Sequence, residues 1–409
     1  MMDDTPRCRT RTPKSNRCQG KPIFKRSRPK LQFLDLPEEL LCKILSELPL
    51  KEVVRTSVLS SRWRCVQKLN PKLRFDGMTM CGSGSNSVCG SEQYTQEFIQ
   101  NVNAVLQKHN GEFVEDFELK FDFNSELVAH LDGWVRFVVA SQAKNIALDL
   151  VPVKFHGRTD RYLLPNELLD IRTASRLQHI QLSFVSIKLP SQFSGFPNLR
   201  KLDLHMINVT AKDIEEMLSS CSNLEWLSIV RCHLDDEFKV DLPLPCLLYL
   251  SVAHCRITRI KINALKLQTF ECKGSRYPFD LTQSLELKYA HLDFLDSVTL
   301  DYALNTLPTV LPSVENLILQ AGAPLKAPSL LENTCKFSLL KHLQLVLDVE
   351  SEDVDNILFW LPFLWQLLLL KSLNYISLFS TLRIPIGSLS GTFHGFHIII
   401  SRTCILRDL

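Results

Sequence analysis

Thirteen cysteines in 409 residues are too dilute to staple a fold. The first thirty residues are rich in Arg, Lys, Pro and Ser and lack the apolar stretch of a secretory leader. The thiols are therefore expected to be reduced, in the nucleus or cytoplasm rather than the secretory path. A membrane span is also missing. The longest apolar run, Ile357 to Leu370 (ILFWLPFLWQLLLL), falls short of the ~20 residues a span needs. It holds Pro362 and is followed by Lys371. Catalytic signatures are absent too: no P-loop, no Gly-rich dinucleotide turn, no G-x-S-x-G elbow and no HExxH. Cys81 and Cys89 are too far apart for a CxxC metal knuckle, and no His pair follows them. The eleven histidines are scattered, and no serine or cysteine has a placed base. These absences argue against an enzyme, a bound metal or a cofactor, and point to a protein that binds.

Charge is nearly balanced overall, at +3, but unevenly spread. Residues 1–32 carry ten Lys/Arg against Asp3 and Asp4, a surplus of eight, which leaves about −5 on the rest. A mildly negative body does not suit a nucleic-acid surface. The basic stretch reads as a disordered tail. Its end, KPIFKRSRPK (21–30), has the form of a nuclear localisation signal or of a solubilising run.

The pattern changes at Leu34. Asp35 can cap a helix, Pro37 suits its first turn, and Glu38 and Glu39 favour its positive end. Leu40, Leu41, Ile44, Leu45 and Leu48 recur at helical spacing until Pro49. A second short helix is expected over 51–58, with Val53, Val54 and Val58 on its apolar side, and a third from Ser60 or Ser61 through Trp63. Three short helices bury little area, so such a module leans on a partner or on the next domain. Residues 77–91 read as a surface loop, and 92–109 as an amphipathic helix with Phe98, Val102, Val105 and Leu106 on one face.

Beyond about residue 145 the template L-x-x-L-x-L recurs, starting at Leu177, Leu199, Leu224, Leu247, Leu267, Leu295, Val314, Leu340 and Leu364, with a weaker copy at Ile146, Leu148 and Leu150. Most starts lie within the spacing of a leucine-rich repeat, ~20–29 residues. The x-L-x-L core is a short strand whose alternate residues point inward, and the rest of each repeat returns outside, often as a helix, as in 210–218. Cys232 and Cys255 fall where a small polar side chain meets unpaired backbone groups as the chain leaves the strand, which makes them structural rather than zinc ligands. Leu364, Leu367 and Leu369 share the phase, so the apolar run at 357–370 reads as an outer helix leading into a strand. The expected fold is α/β: a three-helix module and a curved parallel sheet with outer helices and loops. Concave positions include Arg200, Lys201, Asp203, Glu225, Trp226, Ser228, Tyr249 and Ser251, the candidate substrate contacts.

Residues 35–64, DLPEELLCKILSELPLKEVVRTSVLSSRWR, resemble the F-box domain, in particular that of the plant F-box/LRR family. The resemblance rests on Leu36-Pro37, Ile44-Leu45, Leu48-Pro49, Val54, Val58-Leu59-Ser60 and Trp63-Arg64, and the repeats extend it over roughly 34–370. It implies a receptor subunit of an SCF-type cullin-RING ubiquitin ligase, binding a Skp-type adaptor and, through it, cullin, with a protein substrate on the repeats. Leu36, Pro37, Leu40, Ile44, Leu45, Leu48, Pro49, Val54, Val58, Leu59 and Trp63 would be shared between adaptor contact and the module's core. A scaffold outside any ligase is the alternative, and small-ligand sensing within the repeats a third. The expected division is 1–32 tail, 33–76 F-box, 77–144 linker and first elements of the array, 145–372 repeats, and 373–409 a divergent or truncated end where family members often carry a further domain.

Overall fold

The computed structural model describes residues 36–48, 50–56, 61, 63, 69–81, 92–109, 114–155, 157–294, 306–322, 337–350, 373, 375–383 and 394–401. Among the described residues the helical part holds α1 (Glu38–Ser46) and α2 (Leu50–Thr56). The main sheet then has thirteen strands, in chain order, among the described residues. These are β1 (Lys72–Asp76), β2 (Asp116–Lys120), β3 (Asn145–Asp149), β4 (His179–Ser183), β5 (Lys201–His205), β6 (Trp226–Val230) and β7 (Tyr249–Ala253), then β8 (Thr269–Gly274), β9 (Tyr289–Phe294), β10 (Asn316–Gly322), β11 (His342–Glu350), β12 (Tyr375–Arg383) and β13 (His394–Ser401). Every neighbouring pair is parallel except the last, β12 with β13.

The register explains the template. Each strand places its two inward residues against those of its neighbours. One column runs Leu73, Phe117, Ile146, Ile180, Leu202, Leu227, Leu250, Phe270, Ala290, Leu317, Leu343. A second runs two residues further along each strand, from Phe75 to Leu345. All of these side chains are buried in one continuous core. Each buried leucine contributes roughly 1.5–3 kcal/mol, but only because the next repeat covers it.

The return segments differ. Between β2 and β3 lies helix α4 (Val128–Ala140), and between β5 and β6 lies α5 (Ala211–Ser219), which Thr210 caps by accepting from Asp213 N–H at 3.0 Å. Further along, the expected outer helices give way to short parallel strands at Phe238–Val240, Ile260–Ile262 and Phe279–Asp280. At the strand ends Phe184, Met206, Arg231 and His254 take positive φ (59°, 52°, 52° and 51°). That backbone is costly for non-glycine residues. Here each N–H donates to the next repeat, at 3.0 Å (His205 O), 2.8 Å (Val230 O), 2.8 Å (Ala253 O) and 2.6 Å (Lys273 O). The Cys232 and Cys255 thiols follow the same turn and donate to strand carbonyls, Val230 O and Ile229 O, each at 3.3 Å.

Several boundaries differ from the sequence expectation. The sheet starts at β1 rather than near 145. Phe117 replaces leucine in β2, and buried Asn70 holds the leading position before β1, its side-chain oxygen accepting from Lys72 N–H at 3.2 Å. The copy expected at Leu295 is the strand after Leu287, with Ala290 where a leucine was sought; the neighbouring Phe270 ring supplies the bulk in that layer. The strand beside β11 is β12, which follows buried Leu373 in the phase Leu373, Ile376, Leu378, whereas the expected start at Leu364 lies outside the described residues. Residues 373–409, expected to leave the repeat phase, supply β12 and β13. The loop expected from residue 77 opens as a helical turn, Gly77–Met80, capped by the Asp76 carboxylate. Helix α3 (Glu92–Lys108) follows and buries Phe98 and Val102 as expected, with Val105 and Leu106 partly buried.

Adjacent residues of β6 give a direct check on the register. Leu227→Ala removes a fully buried side chain and is expected to cost about 2–5 kcal/mol in chemical denaturation. Ser228→Ala, on the opposite face, should stay within about 0.5 kcal/mol.

Candidate functional site

Two surfaces fit the binding role. The first is on α1. Pro37 precedes the helix, and its carbonyl accepts from Leu40 and Leu41 N–H, both at 3.1 Å. Glu38 and Glu39 occupy the first turn and Lys43 the last, matching the helix dipole. The helix is split lengthwise. Leu41 and Leu45 are fully buried and belong to the core that also takes in Val53 of α2, Trp63, and Leu73 and Phe75 of β1. The flank beside this buried row carries Leu40 and Ile44, four residues apart, continued by Pro37 before the helix and Leu48 just past its end. Leu40 is 48% exposed and Leu48 40% exposed, Pro37 is exposed and Ile44 half-buried. An ion pair between Lys72 and Glu47, at 3.1 Å, ties the end of α1 to β1 and lowers the Glu47 carboxyl below its ordinary range.

This division sorts the residues named from sequence. Leu45 and Trp63 are core residues, out of a partner's reach in this arrangement. Leu36 is partly buried against the core. Pro49, Val58 and Leu59 lie outside the described residues, as does the side chain of Val54.

The second surface is the open face of the sheet. Residues between the buried columns alternate outward and stack in register. On β5 to β9 the first outward column reads Lys201, Trp226, Tyr249, Thr269, Tyr289, and the second Asp203, Ser228, Ser251, Glu271, His291. Trp226 and Tyr249 stack, with ring centroids 3.6 Å apart and planes 12° from parallel. Lys201 Nζ sits 5.0 Å from the Trp226 ring centre, and the indole N–H donates to Asp203 at 2.9 Å. Lys201 also pairs with Asp203 at 3.0 Å. Burial and then the Glu271 carboxylate push the Tyr249 hydroxyl up to about 12.

Five of the eight residues expected on the concave face therefore meet there with at least part of their surface open: Lys201, Asp203, Trp226, Ser228 and Tyr249; Ser251 keeps its place in the column but is buried. Arg200 and Glu225 do not meet there. They precede their strands and pair with each other at 3.5 Å along the rim, where the Arg200 carbonyl accepts from Glu225 and Trp226 N–H. Sequence reasoning missed the continuation of the face through Thr269, Glu271, Tyr289 and His291. Tyr289 and His291 were hidden by the misplaced repeat start at Leu295.

Similarity to known proteins agrees with this division. The F-box domain model matches residues 33–74, and the model described as At1g61320/AtMIF1, LRR domain, matches residues 105–382. In Arabidopsis thaliana, F-box/FBD/LRR-repeat protein At1g13570 is 31% identical over 216 residues, 53% of this chain and 47% of that protein. F-box/LRR-repeat protein At3g26922 is 31% identical over 248 residues, 59% of this chain and 74% of that protein. F-box/FBD/LRR-repeat protein At3g52680 is 29% identical over 290 residues, 69% of this chain and 59% of that protein. The chain thus spans about half the length of the first of these relatives.

Three histidines on these elements have lowered pKa values, chiefly through burial. They are His109, whose ring nitrogen contacts the Asn70 carbonyl at 2.9 Å, His205 beside Arg231, and His291 beside Lys273. The neutral ring is favoured in the folded state, so unfolding takes up protons below the unfolded value near 6.5. Their stabilising contribution is full above that value and is lost as pH falls through the folded values. The thermal midpoint should therefore drop between about pH 7.5 and about pH 5.5, and His109→Gln should reduce that drop. A midpoint that holds or rises across this window contradicts the assignment.

Proposed function

The chain belongs to the F-box/LRR-repeat family, and from that premise we propose that it is the substrate-recognition subunit of an SCF-type cullin-RING ubiquitin ligase. The observation that carries the reading is the lengthwise split of α1. Its inner row is occupied by the core that it shares with β1, which leaves Leu40 and Leu48 exposed beside Pro37 and the half-buried Ile44 as an apolar strip. An amphipathic helix presenting such a stripe fits an apolar groove on a partner, here a Skp-type adaptor and through it cullin. The open face of the repeats would hold a protein substrate, and its mixture of aromatic rings and paired charges suits a protein surface. The chain would contribute proximity rather than chemistry: it holds the substrate while ubiquitin transfer proceeds elsewhere in the complex. The proposed setting is the nucleus or cytoplasm, with the basic run at 21–30, outside the described residues, as the candidate import signal.

The stripe separates binding from folding. Leu40→Asp with Leu48→Asp should lower capture of a Skp-type adaptor at least about a hundredfold, since two leucines lose burial at roughly 1.5–3 kcal/mol each. The thermal midpoint should hold. Leu45→Ala should act the other way, lowering stability by about 2–5 kcal/mol. Undiminished capture by the double variant contradicts the interface. Absence of capture by the unaltered chain favours the scaffold reading.

A further inference from the structure

The aromatic column on the open face is interrupted at one position. Trp226, Tyr249, Thr269 and Tyr289 are register neighbours on β6, β7, β8 and β9. Trp226 and Tyr249 stack face to face, so their stacking axis runs from strand to strand. The Tyr249 face turned away from Trp226 therefore looks along the sheet toward β8. There the side chain is only Thr269. The next ring, Tyr289, stands two strands from Tyr249 and is 53% exposed. Two strand spacings amount to about 9.6 Å. That is room for one flat group between two rings, with Thr269 as its floor.

Charge selects the group. Beside the gap in the next outward column is Glu271, and along the same strands lie Lys273 and Asp293. The outward strand positions of β5 to β9 hold three carboxylates, Asp203, Glu271 and Asp293, and two ammonium groups, Lys201 and Lys273, with Lys288 on the rim just before Tyr289. Each lysine is already tied to an acid, Lys201 to Asp203 at 3.0 Å and Lys273 to Glu271 at 3.6 Å. Asp293 has no ion-pair partner among the described residues. His291, beside Glu271, is held toward its neutral form by burial and by Lys273, so it does not offset that acid. The carboxylate nearest the gap is Glu271, whose ion pair with Lys273 is long at 3.6 Å, and an acid beside a gap between tyrosine rings asks for a flat cation. Guanidinium is planar, stacks on aromatic faces and bonds carboxylates through its fork, whereas an ammonium is a compact and strongly hydrated point charge.

We propose that Tyr249, Thr269 and Tyr289 form a slot for an arginine side chain of the bound protein, with Glu271 receiving its guanidinium. This rests on the reading that the open face holds a protein substrate. It narrows the substrate class to proteins presenting an exposed arginine in an extended or loop segment.

The test uses the full chain and a dye-labelled octapeptide of alternating Arg and Ser, followed by fluorescence polarisation at physiological salt. Octapeptides with Lys, citrulline or Glu in place of Arg serve as comparisons. The Arg peptide should bind about ten-fold more tightly than the Lys peptide, and the citrulline and Glu peptides more weakly still. Thr269→Trp, which fills the slot, and Tyr289→Ala, which removes a wall, should each weaken the Arg peptide about ten-fold. Glu271→Gln, nearly isosteric, covers the event that the larger change at Thr269 disturbs the fold. Equal affinity for Arg and Lys peptides overturns the proposal, as does wild-type affinity in all three variants or preference for the Glu peptide. Adaptor capture measured on the same samples separates the two readings: intact capture with no arginine preference rejects the slot alone.

Discussion

Everything in this molecule depends on burial that no repeat can complete by itself. Each strand offers two side chains to a layer that closes only when the next strand arrives. The columns headed by Leu73 and Phe75 run without a break through Leu343 and Leu345. Polar groups obey the same rule. The left-handed residues Phe184, Met206, Arg231 and His254 give their N–H groups to the following repeat rather than to their own. The cysteine thiols likewise satisfy carbonyls where the chain leaves the strand. Stability is thus a property of the stack, and the outward residues are released from holding it together.

That release generates both candidate surfaces. On the sheet, strict alternation forces every second residue outward, so Trp226, Tyr249 and Tyr289 form a column without any loop to build it. On α1, the helical period performs the same division. Leu41 and Leu45 join the core that continues into β1, and Leu40 and Leu48 on the adjoining flank are left exposed. A short helical module that could not bury enough area alone is completed by the first strands of the array. The helix face offered to a partner is therefore held by the same core as the face offered to a substrate.

Much of this was legible in the sequence because both periods are strong there. The leucines of β4 to β7 are nearly regular, and strand positions follow directly from them. Legibility failed wherever bulk was redistributed within a layer. Ala290 breaks the template because Phe270 fills the space beside it, and Phe117 does a leucine's work in β2. Asn70 hides the start of β1, since a buried polar residue there satisfies backbone instead of filling volume. The F-box residues were recognisable as a group, but the pattern alone did not divide them. Leu40 and Leu41 are neighbours in sequence, and only the placement of α1 against β1 turns one outward and buries the other. Arg200 and Glu225 show the converse limit: the x positions look equivalent in the template, yet those before the strand lie on the rim.

Hydrogen exchange of the full chain with and without a Skp-type adaptor tests most directly whether the two surfaces are separate. Added protection should be confined to residues 36–56, with strands β5 to β9 exchanging as in the free chain. Protection spread over β5 to β9, or none on α1, would contradict that separation.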